Sequence, residues 1–441
     1  VTRPPDRFTL ALARRHELVE SGAIEPAEYR RALVSYVRDA DPAIRAFADW
    51  RPADLAHSPV PGTPSVTYKD TIDVAGYPTR LGIRSGYRRY PERSAEIARR
   101  LASVGLACVG KVATTECALG SVKPSRNPVY PHVSPAGSST GSAVAVAAGF
   151  CDLSVGTDSG GSLRWPAVYC GVTALRLTPR PELLAGVHAV APSMESVGLV
   201  ARTPADLAWS WRTYRIADAV GAPRLPRPDR LRIAVTSPTG EELHPEVRKL
   251  LDHVRDALAA GGHAVTEADL PDVWDLRAPA GELLSREAHD SFAGLRDDAL
   301  GADTRAAIDH GARIDDARYR VLRQRQSAAC ARLSALLRDE YDLLIMPLEE
   351  GLPDPADDHA TGPTVPTVPA VPAVPASGTG AMTLVANFAR LPVLALPLAL
   401  STADSPLGVQ VLAAPGADDL LVAAGELLAG IDQRDETARY R

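Results

Sequence analysis

Lysine is nearly missing from this chain. Its 441 residues include four lysines, Lys69, Lys111, Lys123 and Lys249, against 44 arginines. Such a skew suggests GC-rich coding, under which surface cations drift to arginine. A lysine that persists is then a candidate for a task arginine cannot perform. Giving up a proton is one, because a guanidinium does not deprotonate in a protein. Cysteine is scarce too: five residues, Cys108, Cys117, Cys151, Cys170 and Cys330, an odd number with no CxxC pair. Neither a disulfide framework nor a zinc site is favoured, and a reducing, cytoplasmic compartment is the expectation. The ten histidines are scattered, with no HExxH and no close Cys/His group, so no metal and no cofactor are expected. No apolar run reaches the length of a membrane span. The first residues lack the apolar core of a signal peptide. Net charge is −6 and no basic stripe stands out, so neither a membrane nor a nucleic acid is an expected partner.

What remains is ordinary globular composition, 45% hydrophobic and 23% charged. Residues 5–48 read as helical, with apolar positions at helical spacing and a break at Glu25-Pro26. Ser65–Tyr68 reads as a short strand, residues 95–104 as a helix, and Ala107–Gly110 as a buried strand. The run from Ser142 to Phe150 is small and apolar and reads as a tightly packed helix. Further strands are expected at 152–156, 231–235, 263–267, 341–346, 391–400 and 408–412. Further helices are expected at 245–260, through most of 280–340, and at 418–428. The low-complexity region is 352–380, including the proline-rich stretch 363–375. It reads as a polyproline-type surface loop or as a flap near a site.

Two Gly/Ser-rich stretches carry the chemistry. One is Pro135-Ala-Gly-Ser-Ser-Thr-Gly-Ser142, the other Gly156-Thr-Asp-Ser-Gly-Gly-Ser-Leu-Arg164, and Tyr68-Lys69-Asp70 lies upstream. Together they offer a hydroxyl nucleophile, an amine base and bare backbone N–H groups for an oxyanion. That set suffices for acyl chemistry without histidine. Each piece alone has a plainer reading: a lone Lys-Asp is usually surface, and a lone Gly-Ser-Ser is usually a turn. Glycine loops opening a helix also bind phosphate, but no Gly-Lys-Ser/Thr follows, so this is not a Walker motif.

The stretch beginning Lys69-Asp-Thr-Ile-Asp-Val-Ala-Gly76 resembles the lysine motif of the amidase signature family. Gly137–Ser142 with the alanine-rich run after it resembles the family's first serine motif. Gly156–Ala167 followed by Cys170-Gly171 resembles the second. Val197-Gly198 with Ala201–Thr203 and Asp206, then Asn387–Pro392 and Gly408–Gln410, are similar to its later landmarks. The resemblance spans roughly residues 60–428.

That resemblance implies a Ser–cis-Ser–Lys triad. Ser162 would be the nucleophile, Ser138 the bridging serine held through a cis peptide, and Lys69 the base. Ser162 follows Ser138 by 24 residues, the family spacing, which selects Ser138 over Ser139. As a relay, Ser138 would touch both Ser162 and Lys69. The backbone N–H groups of Ser159, Gly160, Gly161 and Ser162 are candidates for the oxyanion hole. Asp158 and Arg164 are expected to pair in support of the loop, and Ser139 to add a hydrogen bond. Ala136, Thr140 and Arg390 stand where the family usually has glycine, and Arg176-Leu177 replaces a common Lys-Pro. Arg390 either binds a substrate carboxylate or points to solvent.

The implied fold is a single α/β/α domain over 1–441, with a mixed central sheet flanked by helices. Residues 1–57 would form an N-terminal helical layer and 60–200 the catalytic core. Residues 205–340 would form an inserted, mainly helical specificity region, and 341–441 the strands that complete the sheet. The implied activity is hydrolysis of an amide C–N bond in a small molecule by a monomer or homodimer. The alternatives are an amidotransferase subunit working with partner chains and, further off, a non-catalytic relative.

Overall fold

A computed structural model describes residues 4–56, 63–84, 86–224, 228–238, 243–295, 300–356 and 381–434. The proline-rich stretch 363–375 lies outside them.

One mixed sheet of eleven strands organises the described residues. In chain order the strands are β1 (Phe47–Trp50), β2 (Ser65–Lys69), β3 (Ala107–Val112), β4 (Leu153–Asp158), β5 (Thr173–Arg176), β6 (Ser196–Ala201), β7 (Arg232–Val235), β8 (Ala264–Glu267), β9 (Leu343–Pro347), β10 (Val393–Leu400) and β11 (Pro406–Leu412). Across the sheet they run β1-β3-β2-β4-β6-β5-β10-β11-β9-β7-β8. β2 is parallel to β3 and β4, and β7 is parallel to β8 and β9; the remaining pairs are antiparallel. The early and late parts of the chain meet at β5 and β10, where Leu175 faces Leu394 and Ala174 faces Ala395.

The central strands are buried on both faces, which is why β10 reads as a nearly continuous apolar run, Val-Leu-Ala-Leu-Pro-Leu-Ala-Leu. The polar residues of β2 are satisfied across the sheet: Thr67 Oγ1 donates to Ser154 Oγ on β4 at 2.9 Å. At the chain start the helices are Leu12–Glu20 and Pro26–Ile44. Glu25 caps the second by accepting from the Ala27 and Glu28 amides, and Pro26 occupies the first turn, where no N–H is needed. The helical expectation for 5–48 is interrupted at its end by β1, an edge strand.

The helix Thr140–Ala147 is buried along its whole length. Only small residues fit there: a Cβ on Gly141 would come 2.4 Å from the Ala113 amide nitrogen. This close fit lays the first serine loop against β3 and β4. The region 205–340 has long helices at Pro245–Ala260, Arg277–Phe292 and Asp316–Ala335, and it also supplies β7 and β8 to the sheet. No helix among the described residues is long and apolar enough to cross a membrane.

Candidate active site

Lys69 is the last residue of β2, and its side chain is fully buried. Its Nζ lies 2.7 Å from Ser138 Oγ and 2.9 Å from Thr157 Oγ1. Burial pushes the amine down to about 8, against the opposing pull of Glu195 and Asp158. Its hydrogen-bond partners among the described residues are both hydroxyls, and no ion pair there locks it as an ammonium.

Ser138 follows a cis Gly137–Ser138 peptide just before the helix Thr140–Ala147. Ser162 stands in the loop between β4 and the helix Arg164–Tyr169 and is partly exposed. The two serine loops are joined directly: the Ser139 amide donates to the Ser162 carbonyl at 2.9 Å. Ser139 Oγ donates to the Thr157 carbonyl at 3.1 Å. Ser162 Oγ donates to that same carbonyl at 2.9 Å. The expected hydrogen bond from Ser162 to Ser138 is therefore not made in this structure, because the hydroxyl is turned toward Thr157.

Leu163 anchors the loop to the sheet. Gly156 on β4 and Gly198 on β6 face one another in the register. A Cβ on Gly198 would meet Leu163 Cδ2 at 2.3 Å, and one on Gly156 would meet Leu163 Cδ1 at 2.6 Å. Two facing glycines thus leave a slot for the side chain after Ser162.

Among the candidate oxyanion donors, the amides of Ser159, Gly160 and Ser162 meet no acceptor among the described residues. Gly161 differs from the expectation. Its N–H donates to Asp158 Oδ1 at 2.8 Å, so that donor is already engaged. At φ +115° it also lies hard against Thr383, whose hydroxyl donates to the Gly160 carbonyl.

Beneath the loop, Asp158 and Arg164 pair with both side chains fully buried, Nε to Oδ2 at 2.9 Å and Nη2 to Oδ1 at 3.0 Å. Arg164 also donates to Gln410 Oε1 at 2.6 Å, to the Thr383 carbonyl at 3.1 Å and to Asn387 Oδ1. Asn387 in turn donates to Asp158 Oδ1 at 2.8 Å. Burial alone would raise the Asp158 carboxyl, but Arg164, Arg176 and Asn387 hold it well below the usual carboxylate range. Arg176, where the family usually has lysine, donates to the carbonyls of Asp158, Met194 and Leu391. A guanidinium can reach three carbonyls at once from a fixed fork.

Two departures from family glycine fall at left-handed backbone, Ala136 at φ +53° and Arg390 at φ +56°. Glycine is at ease there and other residues are not. Arg390 lies two residues past the helix Ala381–Phe388, is partly buried, and its side chain makes no hydrogen bond or ion pair among the described residues. The same helix brings Thr383 onto the glycine loop, a contact with no local signal in the sequence. Thr157 was visible inside the second motif, but not its role. Glu195, also buried beside the loop, had no signal.

The fold defines the class first: a mixed-sheet α/β enzyme of the amidase signature type. A solved structure of 6-aminohexanoate cyclic dimer hydrolase with substrate matches at TM-score 0.81 and 24% identity, covering 98% of each chain. A solved amidase matches at TM-score 0.78 and 26% identity, covering 96% of this chain and 99% of that one. The Amidase family model matches residues 34–422, and the chain belongs to that family. Among curated relatives, indoleacetamide hydrolase of Pseudomonas savastanoi is 31% identical over 68% of each protein. A glutamyl-tRNA(Gln) amidotransferase subunit of Thermus thermophilus is 34% identical over 57% of this chain, a match that spans about half the length of that relative (55%).

Proposed function

We propose that the protein cleaves the carbon–nitrogen bond of an amide through an acyl-enzyme on Ser162. The observation that carries this reading is the buried contact of Lys69 Nζ with Ser138 Oγ at 2.7 Å, beside the loop that holds Ser162. As substrate binds, Ser162 Oγ swings from the Thr157 carbonyl toward Ser138. Its proton passes to Ser138 as the Ser138 proton passes to neutral Lys69, and Ser162 Oγ attacks the carbonyl carbon. The amides of Ser159, Gly160 and Ser162 receive the oxyanion. Each such donor typically contributes about 3–4 kcal/mol to the transition state. The proton on Lys69 returns through Ser138 to the leaving nitrogen, and the amine departs. Water then opens the ester by the same relay. The chain carries all three groups itself, which suits a monomer or homodimer, and its five free cysteines suit a reducing cytoplasm.

An amide-substrate screen read by amine or ammonia release, with a fluorophosphonate probe for Ser162, tests the reading. Wild type is expected to release amine and to be labelled at Ser162. Ser162→Ala is expected to do neither, and Lys69→Ala to lose most of both. Undiminished release by Ser162→Ala would overturn it. The similarity to amidotransferase subunits supports a second reading, in which the ammonia passes to an acceptor held with partner chains. Glutamine-dependent ammonia release and copurifying partners would favour that version.

A further inference from the structure

Glu195 is a buried carboxyl that the proposed reaction steps do not use. It immediately precedes β6 and is 1% exposed. Its backbone segment is held from several sides. The Ser193 amide donates to Glu287 Oε2 at 2.8 Å, Gln326 Nε2 donates to the Ser193 carbonyl at 3.2 Å, and Arg176 Nη2 donates to the Met194 carbonyl at 2.9 Å. Held there, Glu195 Oε2 accepts from the Ser159 hydroxyl and from the Val190 amide, the latter at 2.9 Å. Oε1 has no hydrogen-bond partner among the described residues. Burial pushes the Glu195 carboxyl up from its usual value, while the Ser159 hydroxyl, Lys69 from β2, the Val190 amide and Arg176 from β5 pull it back down; Asp158 at the end of β4 also acts on Lys69.

We propose that Glu195 is a positioning residue for this site: its carboxyl clamps the Ser159 end of the glycine loop and serves as a buried counter-charge to Lys69. The arrangement is specific in a useful way. A carboxylate in direct contact with Lys69 would fix it as an ammonium and disable it as a base. Here the contacts of Lys69 are the hydroxyls of Ser138 and Thr157, and the carboxylate acts from beyond them. Burial drives the amine down while Glu195 limits the fall, so Lys69 changes charge near neutral pH rather than far from it. One carboxyl thereby couples the shape of the oxyanion loop to the charge of the base.

The proposal rests on Lys69 as the base, but it can be read on Lys69 directly. The chain has four lysines, so ε-¹³C-lysine NMR of the full protein resolves them, with Lys69 assigned by its absence in Lys69→Ala. Glu195→Gln keeps an acceptor for Ser159 and removes the charge. The titration of Lys69 is expected to move toward acid by about one pH unit in that variant, the size of effect a nearby charge exerts in a protein interior. The rising limb of kcat/KM is expected to move with it. Ser159→Ala leaves Glu195 in place but takes away a donor to its carboxylate, which makes it easier to protonate. Lys69 is then expected to move the same way by less, as in any coupled pair, so the question survives a Glu195→Gln chain that does not fold. A merely structural glutamate would lower the melting temperature and leave the titration alone. A Lys69 titration unmoved in the folded variants would overturn the proposal. A moved titration with no shift in the rate profile would instead count against Lys69 as the base.

Discussion

Lys69 Nζ and Thr157 Oγ1 lie 2.9 Å apart inside the protein, and the carbonyl of the same threonine accepts the hydroxyls of both Ser139 and Ser162. A neutral amine has two N–H donors and one lone pair. Donating one N–H to Thr157 turns the lone pair toward Ser138, where a base is needed. Thr157→Val keeps the shape and removes the acceptor. The expected result is a fall in kcat of about tenfold, the worth of one hydrogen bond of about 1.4 kcal/mol, with KM little changed. Thr157→Ser is expected to restore most of it. A raised KM at constant kcat would place Thr157 in substrate binding instead.

The pH profile follows from the sign of the Lys69 shift. Its folded value, about 8, lies below its ordinary 10.5. The neutral fraction grows with pH, so kcat/KM is expected to rise about tenfold per pH unit on the acid side and to level off above about 8. Stability has the same sign. The unfolded chain binds this proton more tightly than the folded one, so the group destabilises the fold below about 8, and the penalty is relieved as pH rises toward 10.5. Lys69→Met at pH 7 is therefore expected to be inactive yet as resistant to urea as wild type, or more so. A profile flat from about pH 6 to 9 would remove Lys69 as the base.

Arg390 separates two readings in one variant. Its left-handed backbone costs a side-chain-bearing residue about 1–2 kcal/mol relative to glycine. Arg390→Gly is expected to raise stability by about 1 kcal/mol in urea unfolding. Unchanged KM across the substrate panel would mean that the guanidinium serves no substrate. A KM raised only for amides bearing a carboxylate would give it a binding role.

The triad candidates were legible because their hydroxyls and glycines lie in contiguous stretches whose spacing can be read along the chain. The parts that steady them were not. Glu195 and Thr383 act through residues far away in sequence, Ser159 and Gly160, and nothing beside either marks the contact. β1 is four half-buried residues at an edge, too short for alternation to show. β5 is also four residues, and β6 carries the glycine that makes room for Leu163, so neither looks like a strand in isolation. The turned-away Ser162 hydroxyl is a side-chain rotation, which no motif encodes.

The site needs more of the chain than the segments that carry its three candidate catalytic residues. We read residues 1–441 as one domain, and the pairing of β5 with β10 is the test of that reading. A chain ending near residue 210 keeps Lys69, Ser138 and Ser162, but it loses β10, which pairs with β5. The exposed edge would carry Ala174 and Leu175, both fully buried in the whole protein. Arg164 would lose Gln410, Asn387 and the Thr383 carbonyl while remaining beside Asp158. Leaving a buried donor without its acceptor typically costs about 1–3 kcal/mol, and several such losses are a large part of the roughly 5–15 kcal/mol that holds a domain together. The shortened chain is therefore expected to be insoluble, or to lack a cooperative thermal transition, and to leave Ser162 unreactive toward a fluorophosphonate. A soluble fragment that melts cooperatively and is labelled at Ser162 would show that residues up to 210 fold alone, and that the later strands dock onto a core already complete.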